Sequence, residues 1–209
     1  MERRPLARVA GIVPAAGRSS RLGANKLLLE LGSEALVRRA VRQALDGGLS
    51  PVIAVLGFEA ERVAAALGGL PVENVINPLP SRGMHGSLAT GIGSVPADCE
   101  GALVLLPDMP LVTAAMLRQM VDRFRAGAEP LVISRFGDVQ APPTLYARHL
   151  FLEVAAAGPG GGRRVVRDHL AEAAVIHWPE TLLADLDHAE DLNRIRTLMG
   201  QAGPKPQGR

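Results

Sequence analysis

A loop rich in glycine and positive charge follows the first apolar segment of the chain. It contains Gly17 and Gly23 together with Arg18, Arg21 and Lys26. Glycine lets backbone N–H groups point at phosphate oxygens, and arginine and lysine neutralise phosphate charge. These residue types therefore indicate a site for a phosphorylated ligand. The alternative is a solvated turn with scattered charges, and composition alone does not decide between the two.

The loop differs from two common phosphate-binding motifs. No serine or threonine follows Lys26, and the glycine spacing is not that of a Walker A motif. The dinucleotide fingerprint requires a central glycine, which is missing between Gly17 and Gly23. The lone Cys99 excludes an internal disulfide and suits a reducing compartment. The five histidines show no metal-ligand spacing.

Short apolar segments alternate with helical patterns along the chain. Such near-continuous apolar strands are typical of a parallel sheet that is buried on both faces. The predicted strands cover residues 8–15, 51–57, 73–77, 101–108, 130–134 and 173–178. Apolar residues at helical spacing predict a helix between Thr113, as its cap, and Gly127, and another over 191–199. We expect 140–151 to form a loop leading into a helix, and 156–170 a flexible turn entering another.

This alternation predicts an α/β fold: a doubly wound, mostly parallel sheet with helices on both faces. The chain has 209 residues, 47% of them hydrophobic, which suits one domain over 1–199 followed by a disordered tail over 200–209. Aromatic residues make up only 3%, too few for a surface that stacks nucleic-acid bases. No apolar run approaches the roughly 20 residues of a membrane span. We therefore expect a cytoplasmic protein that binds neither nucleic acid nor membrane.

The segment "PAAGRSSRLGANK" resembles the A-A-G-x-S-x-R-x-G-x-x-K signature of the MobA-like nucleotidyltransferases. Three further segments occur in the family's order: "NPLPSRGMHGSLATGI", "LVLLPDMPLVT" and "LADLDHAEDL". Within this superfamily the chain is most similar to the molybdenum cofactor cytidylyltransferases. The resemblance implies an enzyme with a Rossmann-like nucleotidyltransferase fold. It would transfer CMP from CTP to molybdenum-loaded molybdopterin, giving pyrophosphate and the cytosine dinucleotide cofactor used by molybdenum hydroxylases.

The resemblance also implies how the nucleotide is held. Ala15, Ala16 and Gly17 would bind the nucleotide, and Gly17, Arg21 and Lys26 would hold its triphosphate. The guanylyl branch usually carries Ala-Gly-Gly where this chain has Ala15-Ala16-Gly17. The methyl group of Ala16 would narrow the space for the base and favour a pyrimidine. One methyl group discriminates by only about 1–3 kcal/mol, so it favours CTP without proving it.

The same resemblance places Ser87 near the ribose or base, and assigns the catalytic Mg²⁺ to Asp108 and Asp187. Arg21, Lys26 and Asp108 would then be the catalytic residues. Magnesium is commonly held by one or two carboxylates together with phosphate oxygens, so no protein nucleophile is needed. Each assignment has an alternative. Ser87 could be an ordinary helix-start serine, Asp108 could begin a turn, and Asp187 could cap the last helix, in which case Asp185 is the next candidate.

Two other functions stay open at this point. The chain could be a non-catalytic maturation protein that delivers the finished cofactor to an apo-hydroxylase. It could also transfer CMP to another small phosphate or alcohol. The segment Ala141-Pro142-Pro143 stands where the family often has Gly-His-Pro, so the acceptor side of the pocket is the part that the resemblance defines least.

Overall fold

The computed structural model describes residues 7–17 and 25–184, together with residues 191, 195 and 197. These residues form a seven-stranded sheet and a separate two-stranded ribbon, β2–β3, with helices packed on both faces of the large sheet. The strands are β1 (Arg8–Ala15), β2 (Glu30–Leu31), β3 (Glu34–Ala35), β4 (Val52–Leu56), β5 (Glu73–Ile76), β6 (Cys99–Val104), β7 (Leu131–Phe136), β8 (Val139–Ala147) and β9 (Ala174–Trp178). The α-helices are α1 (Leu36–Asp46), α2 (Ala60–Ala66), α3 (Met84–Gly93), α4 (Ala114–Ala126), α5 (Phe151–Ala156) and α6 (Gly161–Asp168).

The strand order in the large sheet is β5-β4-β1-β6-β8-β7-β9. The first four strands in this order are parallel to one another. Strand β8 runs antiparallel to both of its neighbours, β6 and β7, whereas β7 and β9 are parallel to each other. The predicted fold class, a mostly parallel α/β sheet with helices on both faces, is confirmed.

The central strands of the large sheet are buried because helices pack on both faces of the sheet. Successive side chains of a strand point to opposite faces. Accordingly, Val9 and Val13 of β1 join the cluster under α1, α2 and α4, whereas Ala10 and Ile12 join the cluster under α3, α5 and α6. Helix α4 also agrees with its prediction, because the Thr113 hydroxyl accepts a hydrogen bond from the Met116 N–H at 3.4 Å.

The prediction for 140–151 is wrong in its first part. Instead of a loop, residues 139–147 form β8, which lies between β6 and β7. The two prolines of this segment concealed the strand, because proline cannot donate to a β-ladder. In the β7–β8 register, Ile133 pairs with Thr144 and Ser134 pairs with Ala141, so Pro142 and Pro143 occupy a bulge where no ladder hydrogen bond is required.

The last predicted helix, 191–199, is only partly described. Residues 191, 195 and 197 are helical, and Ile195 is buried in a cluster with Leu31, Leu36 and Leu111. The tail over 200–209 lies outside the described residues, so the single-domain boundary at 199 stays a prediction. Among the helices that the structure describes, none has the length and apolar character needed to cross a bilayer.

Candidate functional site

The candidate site lies at the carboxyl ends of the parallel strands. From β1 the chain moves outward through β4 to β5, and then returns to place β6 on the other side of β1. The strand order therefore reverses between β1 and β6, which is where open α/β sheets bind ligands. Ala16 and Gly17 directly follow β1, and Asp108 follows the end of β6 by four residues.

Asp108 lies on a turn that its neighbours hold in place. The Leu105 N–H donates to the Ile12 carbonyl at 3.1 Å, and the Met109 N–H donates to the Leu106 carbonyl at 3.2 Å. The side chains of Leu105 and Met109 are both buried. Asp108 therefore lies within a turn that begins before it, at Leu106. Its carboxylate nevertheless makes a separate long-range contact.

That contact is an ion pair with Lys26. The Lys26 Nζ lies 2.7 Å from the Asp108 Oδ2, although 82 positions separate the two residues. Their side chains are 18% and 22% exposed, so most of each charge is shielded from solvent. Lys26 is the first residue of a short 3₁₀ helix, Lys26–Leu28, whose Leu27 is buried. The fold therefore brings together two of the residues predicted to handle phosphate and metal.

Asn25, which directly precedes Lys26 in the chain, carries a buried hydrogen-bond donor. Its Oδ1 accepts from the Leu27 N–H at 3.2 Å, which orients the carboxamide, and the residue is only 4% exposed. Its Nδ2 is buried and has no hydrogen-bond partner among the described residues. An unsatisfied buried donor costs about 1–3 kcal/mol. The position is suited to an acceptor that the described part of the chain does not supply, as a bound anionic ligand would.

Ala16 is packed against the end of β4. Ala16 is buried, and its carbonyl accepts a hydrogen bond from the Phe58 N–H at 3.2 Å. A Cβ added at Gly57 would lie 2.7 Å from the Ala16 Cβ. The methyl group thus faces Gly57, the residue that follows β4. Ala15 is buried, whereas Gly17 is exposed, and a Cβ at Gly17 would meet no described atom within 4 Å.

Ser87 is the fourth residue of α3 and does not cap it. Its hydroxyl accepts a hydrogen bond from the Nδ2 of Asn77 at 3.1 Å, and both residues are buried. The Asn77 Oδ1 accepts in turn from the Leu79 N–H at 2.9 Å. Sequence reasoning assigned Asn77 to a strand end and gave it no role. The Asn-Pro dipeptide at 77–78, a signal for turn initiation, could have identified it.

Several predicted residues fall outside the described part of the chain: Arg18, Arg21, Gly23, Asp185 and Asp187. The expected convergence of Asp108 and Asp187 on one metal ion therefore stays a prediction. Within 7–17 and 25–184, no group of three or more histidine, cysteine, aspartate or glutamate side chains could hold a metal ion by itself.

Comparison with known proteins connects this geometry to a family. A model of the MobA-like NTP transferase domain matches residues 11–175. The chain is 29% identical over 147 residues to the bifunctional protein GlmU of Rhodococcus opacus, but it spans only 29% of that protein. It is 27% identical over 197 residues to a probable molybdenum cofactor guanylyltransferase of Natronomonas pharaonis, covering 89% of this chain and 96% of that one.

A solved structure supports the same relationship. Rv0371c of Mycobacterium tuberculosis H37Rv superposes with a TM-score of 0.81 at 26% identity, over 92% of this chain and 99% of that one. The manganese complex of Rv0371c superposes with a TM-score of 0.74. The family model covers both Lys26 and Asp108, and the chain belongs to the family of MobA-like NTP transferases, which makes it a nucleotidyltransferase.

Proposed function

We propose that this protein transfers CMP from CTP to molybdenum-loaded molybdopterin, for delivery to a molybdenum hydroxylase. The observation that carries the proposal is the Lys26–Asp108 ion pair at the point where the strand order reverses. A cation and a carboxylate at this point suit a reaction between two polyanions. The similarity to a probable molybdenum cofactor guanylyltransferase of Natronomonas pharaonis supports a molybdopterin acceptor.

In this reaction a terminal phosphate oxygen of the acceptor attacks the α-phosphorus of CTP. The bond from that phosphorus to the bridging oxygen breaks, and pyrophosphate leaves with the bonding electrons. Positioning and charge neutralisation supply most of the catalysis of such a displacement. Lys26 would neutralise the triphosphate, aided by Arg21 and by backbone N–H groups at Gly17. Cys99 is buried at the start of β6 and plays no part as a nucleophile.

Asp108 fits the role of a Mg²⁺ ligand. Magnesium is usually held by one or two carboxylates together with substrate phosphates and water, so an all-protein cage is not needed. We propose Asp187 as the second carboxylate. The bound ion would supply Lewis-acid neutralisation of the α-phosphate. When Asp108 serves as the ligand, the Lys26 ammonium that now contacts it becomes available to the triphosphate. The manganese complex of Rv0371c supports a divalent cation in this fold.

The choice of CTP depends on Ala16 and its contact with Gly57. In the guanylyl branch a glycine at this position would remove the buried methyl group and let the segment after β4 relax. The larger guanine base would then have more room. Because the relative from Natronomonas pharaonis is a probable guanylyltransferase, GTP is the competitor against which the proposal must be tested.

Pyrophosphate release tests the proposal directly. The purified protein is supplied with Mg²⁺, molybdenum-loaded molybdopterin and one of CTP, GTP, ATP or UTP, and each reaction is repeated without the acceptor. We expect acceptor-dependent release with CTP and little with the other three. Equal or faster release with GTP would refute cytidylyl transfer. Tight binding of the finished dinucleotide without any release would instead identify a maturation carrier, and release with other phosphates alone would reassign the acceptor.

A further inference from the structure

Ser87 differs from the two other hydroxyl residues of this segment, Thr90 on α3 and Ser94 directly after it. The Thr90 hydroxyl donates to the Gly86 carbonyl, and the Ser94 hydroxyl donates to the Thr90 carbonyl, each at 2.9 Å and each four residues earlier in the chain. Such bonds are the ordinary use of a hydroxyl within a helix. Ser87 makes no equivalent bond in the described structure. Its hydroxyl takes part only in the contact with Asn77.

The proton direction in this contact is determined by a backbone group. A backbone N–H can only donate, so the Asn77 atom that contacts the Leu79 N–H must be the carboxamide oxygen. The Asn77 nitrogen therefore faces Ser87, and because that nitrogen only donates, the Ser87 oxygen must accept. The hydroxyl proton of Ser87 is then directed elsewhere, and no acceptor for it exists among the described residues. With Ser87 and Asn77 only 4% and 3% exposed, solvent is largely excluded from both.

The packing of α3 places this hydroxyl at the candidate site. A Cβ added at Gly91 would lie 2.5 Å from Ile12 and 3.1 Å from Val55, so that face of the helix presses on β1 and β4. Residues four apart share a helix face. Ser87 therefore lies on the same face, one turn nearer the helix N-terminus. Because α3 begins shortly after the carboxyl end of β5, this turn lies at the same edge of the sheet as Gly17.

We propose that Asn77 is a positioning residue that presets the Ser87 hydroxyl as a hydrogen-bond donor to the nucleoside part of the bound nucleotide. The acceptor would be a ribose oxygen or a base carbonyl. The proposal rests on the proposed function insofar as it requires a nucleotide at this edge. Asn77 and Ser87 carry no charge, which suits an uncharged acceptor. Ser87 belongs to α3, which packs on the opposite face of the sheet from Leu27, the residue after Lys26. A nucleotide across the carboxyl edge would reach both.

Calorimetry on four variants tests this assignment. Ser87→Ala removes the donor. Asn77→Asp keeps the oxygen that accepts from Leu79 but offers Ser87 a second carboxylate oxygen, which draws the hydroxyl proton into the protein. The third variant combines the two changes, and Ser94→Ala, directly after α3, is the matched control. Each is titrated in Mg²⁺ with CTP, GTP, 2′-deoxy-CTP and inorganic tripolyphosphate, after circular dichroism has confirmed folding.

We expect Ser87→Ala and Asn77→Asp each to weaken CTP binding by roughly 3- to 10-fold, the size of one net hydrogen bond. The double variant should be no weaker than Ser87→Ala, because both changes remove the same donor. Ser94→Ala should bind CTP like the wild type, and tripolyphosphate affinity should be unchanged throughout. A loss with CTP but not with 2′-deoxy-CTP would assign the ribose 2′-oxygen. Equal losses would assign the base or another ribose oxygen.

Three results would overturn the inference. They are wild-type CTP affinity in Ser87→Ala, an equal loss of tripolyphosphate affinity, or additive losses in the double variant. These differ from failure of the proposed function, in which the wild-type protein binds GTP better than CTP or binds neither. If GTP binds better, the same variants titrated with GTP still test the role of Ser87.

Discussion

The two halves of the large sheet differ in how they use their strands. In the parallel half, β5-β4-β1-β6, the strands end at one edge, and every described candidate residue follows one of them or lies on the helix after β5. All five residues of β4 are buried. In the mixed half, β8-β7-β9, strand β8 begins exposed and ends buried, and it runs against both neighbours. None of the described candidate residues for catalysis or nucleotide binding lies there.

Strand direction explains the difference for β8, which runs opposite to the other strands of the large sheet. Parallel strands all point their carboxyl ends at one edge, so loops from distant parts of the sequence meet there. An antiparallel strand has its carboxyl end at the opposite edge, so the loop that follows it lies away from the edge where the parallel strands end. Strand β8 therefore contributes by covering β6, with Leu145 beside Leu103 and Thr144 beside Val104. The mixed half thus covers β6, the strand that precedes Asp108, while the described candidates for catalysis and nucleotide binding belong to the parallel half.

The largest expected effect comes from the ion pair of the parallel half. Asp108→Asn should abolish turnover, because a neutral amide is a poor ligand for a hard cation. Lys26→Ala should lower turnover by roughly 10²–10³, the typical cost of one charge-stabilising donor. Pyrophosphate release measures both. Glu129→Gln, which removes the ion pair with Arg123 at the end of α4, is the control and should retain full activity. Near-wild-type turnover in Lys26→Ala would show that the loop does not hold the phosphates.

Asp187→Asn sharpens the same test at a residue outside the described part of the chain. As the proposed second metal ligand, it should lower turnover less than Asp108→Asn does, because the family resemblance implies either an acidic or an amide ligand at this position. A helix cap would behave differently, lowering thermal stability by about 0.5–2 kcal/mol with turnover of the folded protein intact. Comparing turnover with the midpoint of thermal unfolding separates the two roles. The second outcome would transfer the metal assignment to Asp185.

A pair of glycines tests how closely α3 must approach the parallel half. Gly91→Ala puts a methyl group 2.5 Å from the Ile12 side chain, and overpacking of this kind costs about 1–3 kcal/mol. Gly93→Ala on the same helix meets no described atom within 4 Å, so it should be neutral or stabilising by up to about 1 kcal/mol. Chemical denaturation measures both changes. Equal effects of the two substitutions would show that α3 does not depend on this contact.

Ala16→Gly tests the nucleotide preference. Removing the methyl group that faces Gly57 should weaken discrimination between CTP and GTP by about tenfold, within the 1–3 kcal/mol range for one methyl group. The ratio of kcat/KM for the two nucleotides is the measurement. Gly93→Ala, which lies outside the candidate site and meets no described atom within 4 Å, serves as the control for packing within the protein. An unchanged ratio would remove Ala16 from the specificity argument.

The smallest effect is expected next to the mixed half, where the His169 ring nitrogen Nε2 lies 2.8 Å from the Glu153 carboxylate. This hydrogen bond raises the pKa of His169. A raised pKa in the folded state stabilises the fold at low pH, fully below the unfolded value of about 6.5, and the benefit disappears as the pH rises through the folded pKa. His169→Gln should therefore lower the unfolding midpoint at about pH 5.5 and not at about pH 9. Turnover should not change, and a loss of turnover would contradict our separation of the two halves.

The strands of the parallel half and helix α4 could be predicted from the order of apolar and polar residues along the chain. Apolar segments predicted the strands of the parallel half, and helical spacing with Thr113 at its start predicted α4. The glycine-rich and basic loop indicated phosphate binding through its residue types alone. The strand and helix predictions are confirmed because a buried parallel strand and a capped helix each depend on residues within about ten positions of one another. Phosphate binding by the loop stays a prediction.

Contacts between distant segments could not be predicted from the sequence, because they depend on the three-dimensional fold. Strand β8 was hidden by prolines, whose missing N–H groups are tolerated only because the β7 register leaves them in a bulge. The pairing of Lys26 with Asp108 and the contact of Ala16 with Gly57 need the strand order, which a single sequence does not reveal. The donor direction of Ser87 required still more, because a backbone N–H orients Asn77 and Asn77 then orients the hydroxyl. A proton's direction depends on a network in three dimensions, and no spacing of residues along the chain encodes it.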